Sequence, residues 1–201
     1  MEFVASELTA VQLYKLLTGA VVPRPIAWVS CRSAAGELNL APFSFFNVVC
    51  ASPPTLMVSV GCRDDGVPKD TAMFARETGE LVVNITTEDV VEHMNVTSID
   101  APSGVSEFEI AGLTPAPSIV VAPPRVLESP VSFECRLAET LQIGQSTLLF
   151  AQVLYLHVRD DVYRPDHKID AQALRPVGRL SGPSYGRVRE IFDIRRPKWG
   201  E

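Results

Sequence analysis

Three short segments hold the residues best suited to chemistry: VVPRPIAWVS at 21–30, NLAPFSFFN at 39–47 and PKDTAMF at 68–74. In the first, Pro23 and Pro25 bracket Arg24. A residue before proline is steered into an extended backbone, so a guanidinium there loses little entropy when it is used. In the third, Lys69 and Thr71 flank a helix start, where an ammonium, a hydroxyl and exposed N–H groups suit an anionic oxygen cluster. The middle segment sorts badly as a single strand. Alternation puts Phe43, Phe45 and Asn47 on one side and Pro42, Ser44 and Phe46 on the other, so neither face is wholly apolar or wholly polar.

Singly, each segment has an ordinary reading as a surface ion pair, a solvated lysine or core phenylalanines. Together they describe a ligand with a flat aromatic body and an anionic end, for which flavin mononucleotide (FMN) is the natural candidate. Other chemistries lack their motifs, and nothing places a Ser–His–Asp constellation. There is no GxG and hence no Rossmann fingerprint, no GxxxxGK[ST] and no GxSxG. Asp64–Asp65 and Asp160–Asp161 are neighbours at strand ends and read as turn residues, not as an acid/base pair. Cys31, Cys50, Cys62 and Cys135 show no CxxC spacing, and His93, His157 and His167 lie far apart, so no metal site is expected. His157, near the end of a long strand, is the only histidine with a route to such a ligand site, and its ordinary reading is a strand-end histidine with a satisfied hydrogen bond.

Charge narrows the partners. The net charge of −6 argues against a nucleic-acid surface. Residues 159–201 nevertheless hold ten Lys/Arg against seven Asp/Glu, a balance of +3, while residues 1–158 carry −9. A basic tail on an acidic body suggests packing on that body or on a partner subunit, and the alternative is a solvated, partly mobile tail. No apolar run is long enough to span a bilayer, and the opening MEFVASELTA is acidic where a leader would be basic, so a cytoplasmic location and no membrane are expected.

The elements that must position these residues are mostly strands. Thr9 and Gln12 fit a capping box before Leu13, Leu16 and Leu17, predicting a helix that Gly19 ends. Strands are predicted over 25–31, 39–49, 55–60 and 80–85, with a short helix from Asp70 through Phe74 and Arg76. A polar-faced helix carrying Val90, Val91 and Met94 follows. Residues 99–130 read as a long excursion with brief strands. Val131, Phe133, Cys135 and Leu137 alternate with Ser132, Glu134 and Arg136, predicting a half-exposed antiparallel strand. The run 147–158 reads as buried on both sides, and QIGQS at 142–146 as a hairpin turn. Many strands, few helices and abundant proline favour one domain, a closed β-barrel with peripheral helices, over a doubly wound sheet.

The chain resembles the flavin reductase-like domain family of the FMN-binding split-barrel superfamily. PRPIAWVS, the run from Gly36 to Asn47, Pro53–Pro54, KDT at 69–71 and TGELVVN at 78–84 occur in family order. HMNVTS at 93–98, EFEIAGLT at 107–114 and PRVLESPVSFEC at 124–135 also match. The resemblance implies a mainly β fold, an antiparallel Greek-key split β-barrel with a few peripheral helices, spanning 1–201 as a single domain. It implies a homodimer with FMN near the subunit interface. By position, Asn39, Ala41, Pro42, Ser44 and Asn47 would contact the ring and ribityl parts. Arg24, Lys69 and Thr71 would surround the phosphate, and Arg179, Ser181 and Tyr185 of the tail would close over the flavin. The activity implied is NAD(P)H-dependent flavin reduction, an oxidoreductase reaction that requires no particular side-chain acid or base. The alternative is a non-enzymatic FMN-binding electron-transfer protein. A third reading is a barrel without cofactor that serves assembly.

Overall fold

The computed structural model describes residues 1–102 and 104–200. Helix α1 (Ala10–Ala20) starts at the predicted capping box: Thr9 Oγ1 accepts from Gln12 N, and Gln12 Oε1 accepts from Thr9 N. It runs past Gly19, and Leu16 and Leu17 are exposed, so the leucine spacing marks a face that this chain leaves uncovered. Strands β1 (Ala27–Arg32), β2 (Leu38–Phe43), β3 (Phe46–Ala51) and β4 (Pro54–Gly61) follow. Next come α2 (Asp70–Thr78), β5 (Glu80–Ile85), α3 (Val91–Val96) and α4 (Glu107–Ile110). Lys69, not Asp70, is the N-cap of α2.

The excursion contributes only β6 (Pro115–Ala116) and β7 (Arg125–Val126) before the long hairpin β8 (Val131–Ile143) and β9 (Ser146–Val158). The tail holds β10 (Tyr163–Arg164), β11 (Lys168–Ile169), α5 (Ala171–Leu174) and the hairpin β12 (Val177–Arg179) and β13 (Tyr185–Arg187). Seven strands make one antiparallel sheet in the order β2-β1-β5-β8-β9-β4-β3. Its two edges, β2 and β3, are joined by Ser44 and Phe45 alone, so the sheet must curl until those edges meet. This is the split barrel. The predicted single strand over 39–49 is therefore two strands with a corner, and the corner breaks the parity of NLAPFSFFN.

The barrel interior is filled from alternate positions. Ala27, Val29 and Cys31 of β1 meet Val58 and Val60 of β4, Leu81 and Val83 of β5, and Leu149 and Ala151 of β9. The opposite face of β1 carries Trp28, which packs with Leu40, Met94 and Phe108 in a second core beneath α3 and α4. Burying a side chain of this size stabilises by roughly 1.5–3 kcal/mol. Two predictions of burial were reversed by this layering. Ser132 and Glu134 are buried, because the excursion packs over their face of β8. On β9 only one face is buried near Leu149 and Ala151, while Tyr155 and Leu156 are exposed.

Carboxylates tie the excursion down. Glu134, fully buried, accepts from Ile119 N at 2.7 Å, Val120 N at 2.6 Å and His157 Nε2 at 2.6 Å. Glu80 Oε2 accepts from Ala122 N at 2.8 Å. Among the described residues, no helix is long and apolar enough to cross a membrane, and no cluster of His, Cys, Asp and Glu could hold a metal ion.

Candidate functional site

A cleft with two lobes runs along the β2 edge. The lobes share Pro42, Phe43 and Ser98. The wide lobe, about 260 Å³, has walls from Tyr14, Ile26, Phe43, Met94 and Leu180, with Ser44, Asn95, Arg179 and Tyr185 as polar groups. The narrow lobe, about 60 Å³, is polar: Asn39, Arg63, Lys69, Asp70, Thr71, Asp100 and Glu107 line it beside Ala41. The wide lobe is the roomier of the two.

Local structure explains each placement. The PxP geometry around Arg24 does hold its guanidinium, but on protein. It donates to Thr18 O at 2.6 Å, Val21 O at 2.9 Å, Leu180 O at 2.9 Å and Ser44 Oγ at 3.3 Å. Thr18 and Val21 lie at the C-terminal end of α1, where carbonyls lack intrahelical partners and favour a cation. Arg24 thus lines the wide lobe, while Lys69 and Thr71 line the narrow one. The structure does not bring the three together.

Lys69 Nζ pairs with Asp100 Oδ1 at 2.9 Å, and Arg63 pairs with Asp70 at 2.8 Å. Thr71 is buried and donates to Asn39 Oδ1 at 2.6 Å, and Asn39 Nδ2 donates to Glu107 Oε1 at 3.2 Å. Burial pushes the Glu107 carboxyl above the ordinary glutamate range, opposed by the hydrogen bond from Leu40 N.

The tail reaches the wide lobe through the β12–β13 hairpin. Gly178 permits this approach: a Cβ there would lie 2.7 Å from Pro23 Cβ and 3.3 Å from Arg24 O. Arg179 donates to the Tyr185 hydroxyl and stacks over its ring, and the hydroxyl donates to Asn95 Oδ1 at 3.1 Å. Charge holds the hairpin in place. Arg187 and Arg189 pair with Glu88, and Arg175 pairs with Asp89. The Arg189 hydrogen bond keeps Glu88 below its ordinary range.

Of the sequence-predicted residues, Arg24, Asn39, Ala41, Pro42, Ser44, Lys69, Thr71, Arg179 and Tyr185 line one lobe or the other. Asn47 and Ser181 do not. Asn47 is exposed on β3, beyond the corner, and accepts from Val48 N. Ser181 is exposed at the hairpin turn. His157 is occupied by Glu134, away from both lobes. Arg63, Asn95, Asp100 and Glu107 were given no role from sequence. All four sit outside the three opening segments and reach the cleft only through folding.

Fold and cleft define a class: an antiparallel split barrel with a ligand cleft along its open edge. A family model described as "Flavin reductase like domain" matches residues 19–173. The chain belongs to the flavin reductase-like family. It is 45% identical over 203 residues to the uncharacterized protein BH2278 of Halalkalibacterium halodurans, covering 98% of this chain and 97% of the relative. Nitrilotriacetate monooxygenase component B from Bacillus cereus is a structural neighbour, with a TM-score of 0.93 and 38% identity, over 96% of this chain and 98% of the other. The Pseudomonas fluorescens 2-nitrobenzoate 2-nitroreductase NbaA is another, with a TM-score of 0.90 and 29% identity, over 99% and 98% of the two chains.

Proposed function

We propose that the cleft binds FMN and that the protein is an oxidoreductase passing hydride from NADH or NADPH to that flavin. The observation that carries this reading is one cleft of two joined lobes: a wide one with Tyr14, Phe43 and Tyr185 among polar groups, and a narrow one holding Arg63, Lys69 and Thr71. Similar proteins named as a nitroreductase and a monooxygenase component support an oxidoreductase role.

The residues present fit FMN. Phe43, Ile26 and Met94 offer apolar surface for the ring system, and Ser44, Asn95 and Tyr185 offer polar groups at its edge. Lys69 and Arg63, paired with Asp100 and Asp70, are the cations at the end where the phosphate would lie. Bound FMN would supply the two-electron acceptor, and the chain's part is to orient it and shield it from water. The β12–β13 hairpin forms one rim of the wide lobe, so Arg179 and Tyr185 are the residues best placed to position a nicotinamide.

A second copy of the chain completes the reading. Tyr14, Leu16 and Leu17 of α1 and Val48 and Val49 of the β3 edge are exposed apolar residues flanking the cleft's corner. An uncovered apolar edge strand is a pairing surface, and we assign it to a homodimer contact.

Lys69→Ala tests the polarity of the cleft. FMN affinity is expected to fall about tenfold, as for one lost charge-assisted contact, while riboflavin affinity stays within about twofold. Flavin fluorescence titration reads both. Equal losses for the two flavins, or none, would remove the phosphate from the narrow lobe.

A further inference from the structure

Glu107 is 5% exposed and forms part of the narrow-lobe wall. Its Oε2 accepts from Leu40 N at 2.9 Å and its Oε1 from Asn39 Nδ2 at 3.2 Å. Asn39 Oδ1 in turn accepts the Thr71 hydroxyl at 2.6 Å. The single Thr71 proton therefore points inward, and the threonine offers the lobe only a lone pair. That suits a ligand hydroxyl and serves a phosphate oxygen poorly.

The polarity of this chain is set at its Glu107 end. An ionised carboxylate only accepts, so Asn39 must turn its NH2 toward Glu107 and its oxygen toward Thr71. A protonated Glu107 would donate to the Asn39 oxygen. The amide then reverses, Nδ2 donates to Thr71, and the Thr71 proton is free to face the lobe. Leu40 N keeps its acceptor in either state.

The charges around Glu107 favour the second state once an anion arrives. Asp70 and Lys69 at the start of α2, Arg63 after β4 and Asp100 after α3 face the same lobe. Arg63 is matched by Asp70 and Lys69 by Asp100, so among the described residues Glu107 is the carboxylate of that lobe without a cation. Burial and the nearby Asp70 both raise its affinity for a proton.

We propose that Glu107 is the positioning residue of the narrow lobe, and that it takes up a proton when a phosphate binds, reversing the Glu107–Asn39–Thr71 hydrogen-bond chain. The proposal rests on the FMN reading. Glu107→Gln mimics the protonated state, since its amide nitrogen donates to Asn39 while its oxygen still accepts from Leu40 N.

FMN and riboflavin affinities of the wild type and E107Q are measured from about pH 5 to about pH 8.5, with thermal melts to verify folding. Over that range wild-type affinity for FMN is expected to fall about tenfold more than that of E107Q. Titration of the FMN phosphate itself is common to both proteins and cancels, and riboflavin should show no such difference. Thr71→Val, which lacks the donor, should show the flattened E107Q profile at lower affinity. Calorimetry in buffers of different ionisation enthalpy should record fewer protons taken up by E107Q than by the wild type. Parallel FMN profiles for wild type and E107Q, or the same difference with riboflavin, would overturn the proposal alone. Failure of the wild type to bind either flavin would overturn the FMN reading and the proposal with it.

Discussion

Arg24→Ala is expected to lower stability by about 2–4 kcal/mol, because truncation leaves buried backbone carbonyls without their donor at about 1–3 kcal/mol each. Arg24 is 7% exposed, and its guanidinium joins the end of α1, Ser44 at the barrel corner and Leu180 of the tail. Its loss leaves three carbonyls without that donor and frees the hairpin that rims the wide lobe. For a chain of this size the melting temperature should fall by about 10 °C. Arg24→Lys should recover little, because one ammonium cannot span the forked geometry. Because Arg24 lies away from the narrow lobe, FMN and riboflavin binding should weaken together. A thermal melt within about 2 °C of the wild type would show that these hydrogen bonds carry little.

The second large effect is expected at Glu134. Replacement by alanine removes the acceptor for Ile119 N, Val120 N and His157 together, at a cost of about 3–5 kcal/mol. Burial acts to raise this carboxyl, but the hydrogen bonds from His157, Val120 and Ile119 outweigh it and hold the group below its ordinary range. A depressed folded value gives a definite sign. The stabilisation is full above the unfolded glutamate pKa of about 4.3 and is lost as pH falls through the lower folded value. Denaturant midpoints measured from about pH 3 to about pH 7 should therefore drop less steeply for Glu134→Gln than for the wild type. Equal slopes would exclude Glu134 as an acid-labile tie.

Local features were legible in the sequence. The α1 capping box, the β1 and β4 strands and the 142–146 turn follow from short-range propensity and occur where the residues predict. The unsorted faces of NLAPFSFFN also carried information, since a corner at Ser44–Phe45 changes the parity of everything after it. That corner explains Asn47: counted along a single strand it belongs to the site, but it continues onto β3 and away from the cleft.

What could not be read was non-local. The segment around Arg24 predicts a pre-organised guanidinium, yet its partners are backbone carbonyls, which leave no signature in side-chain identity. Alternation along 131–137 puts Glu134 on the exposed face of its strand, and nothing in EFEIAGLT marks Glu107 as buried. They are buried only because α4 and the excursion fold back over β2 and β8. Ile99, Asp100, Ala101 and Glu107 reach the narrow lobe through that return.

The most direct test of the proposed function is visible absorption of the purified protein, mixed with FMN, desalted, and then treated anaerobically with NADH or NADPH. The flavin is expected to stay with the protein through desalting and to lose its visible band when a nicotinamide is added. Flavin retained but bleached by neither nicotinamide would contradict the reductase and leave an electron carrier. Flavin lost entirely on desalting would contradict the cleft itself.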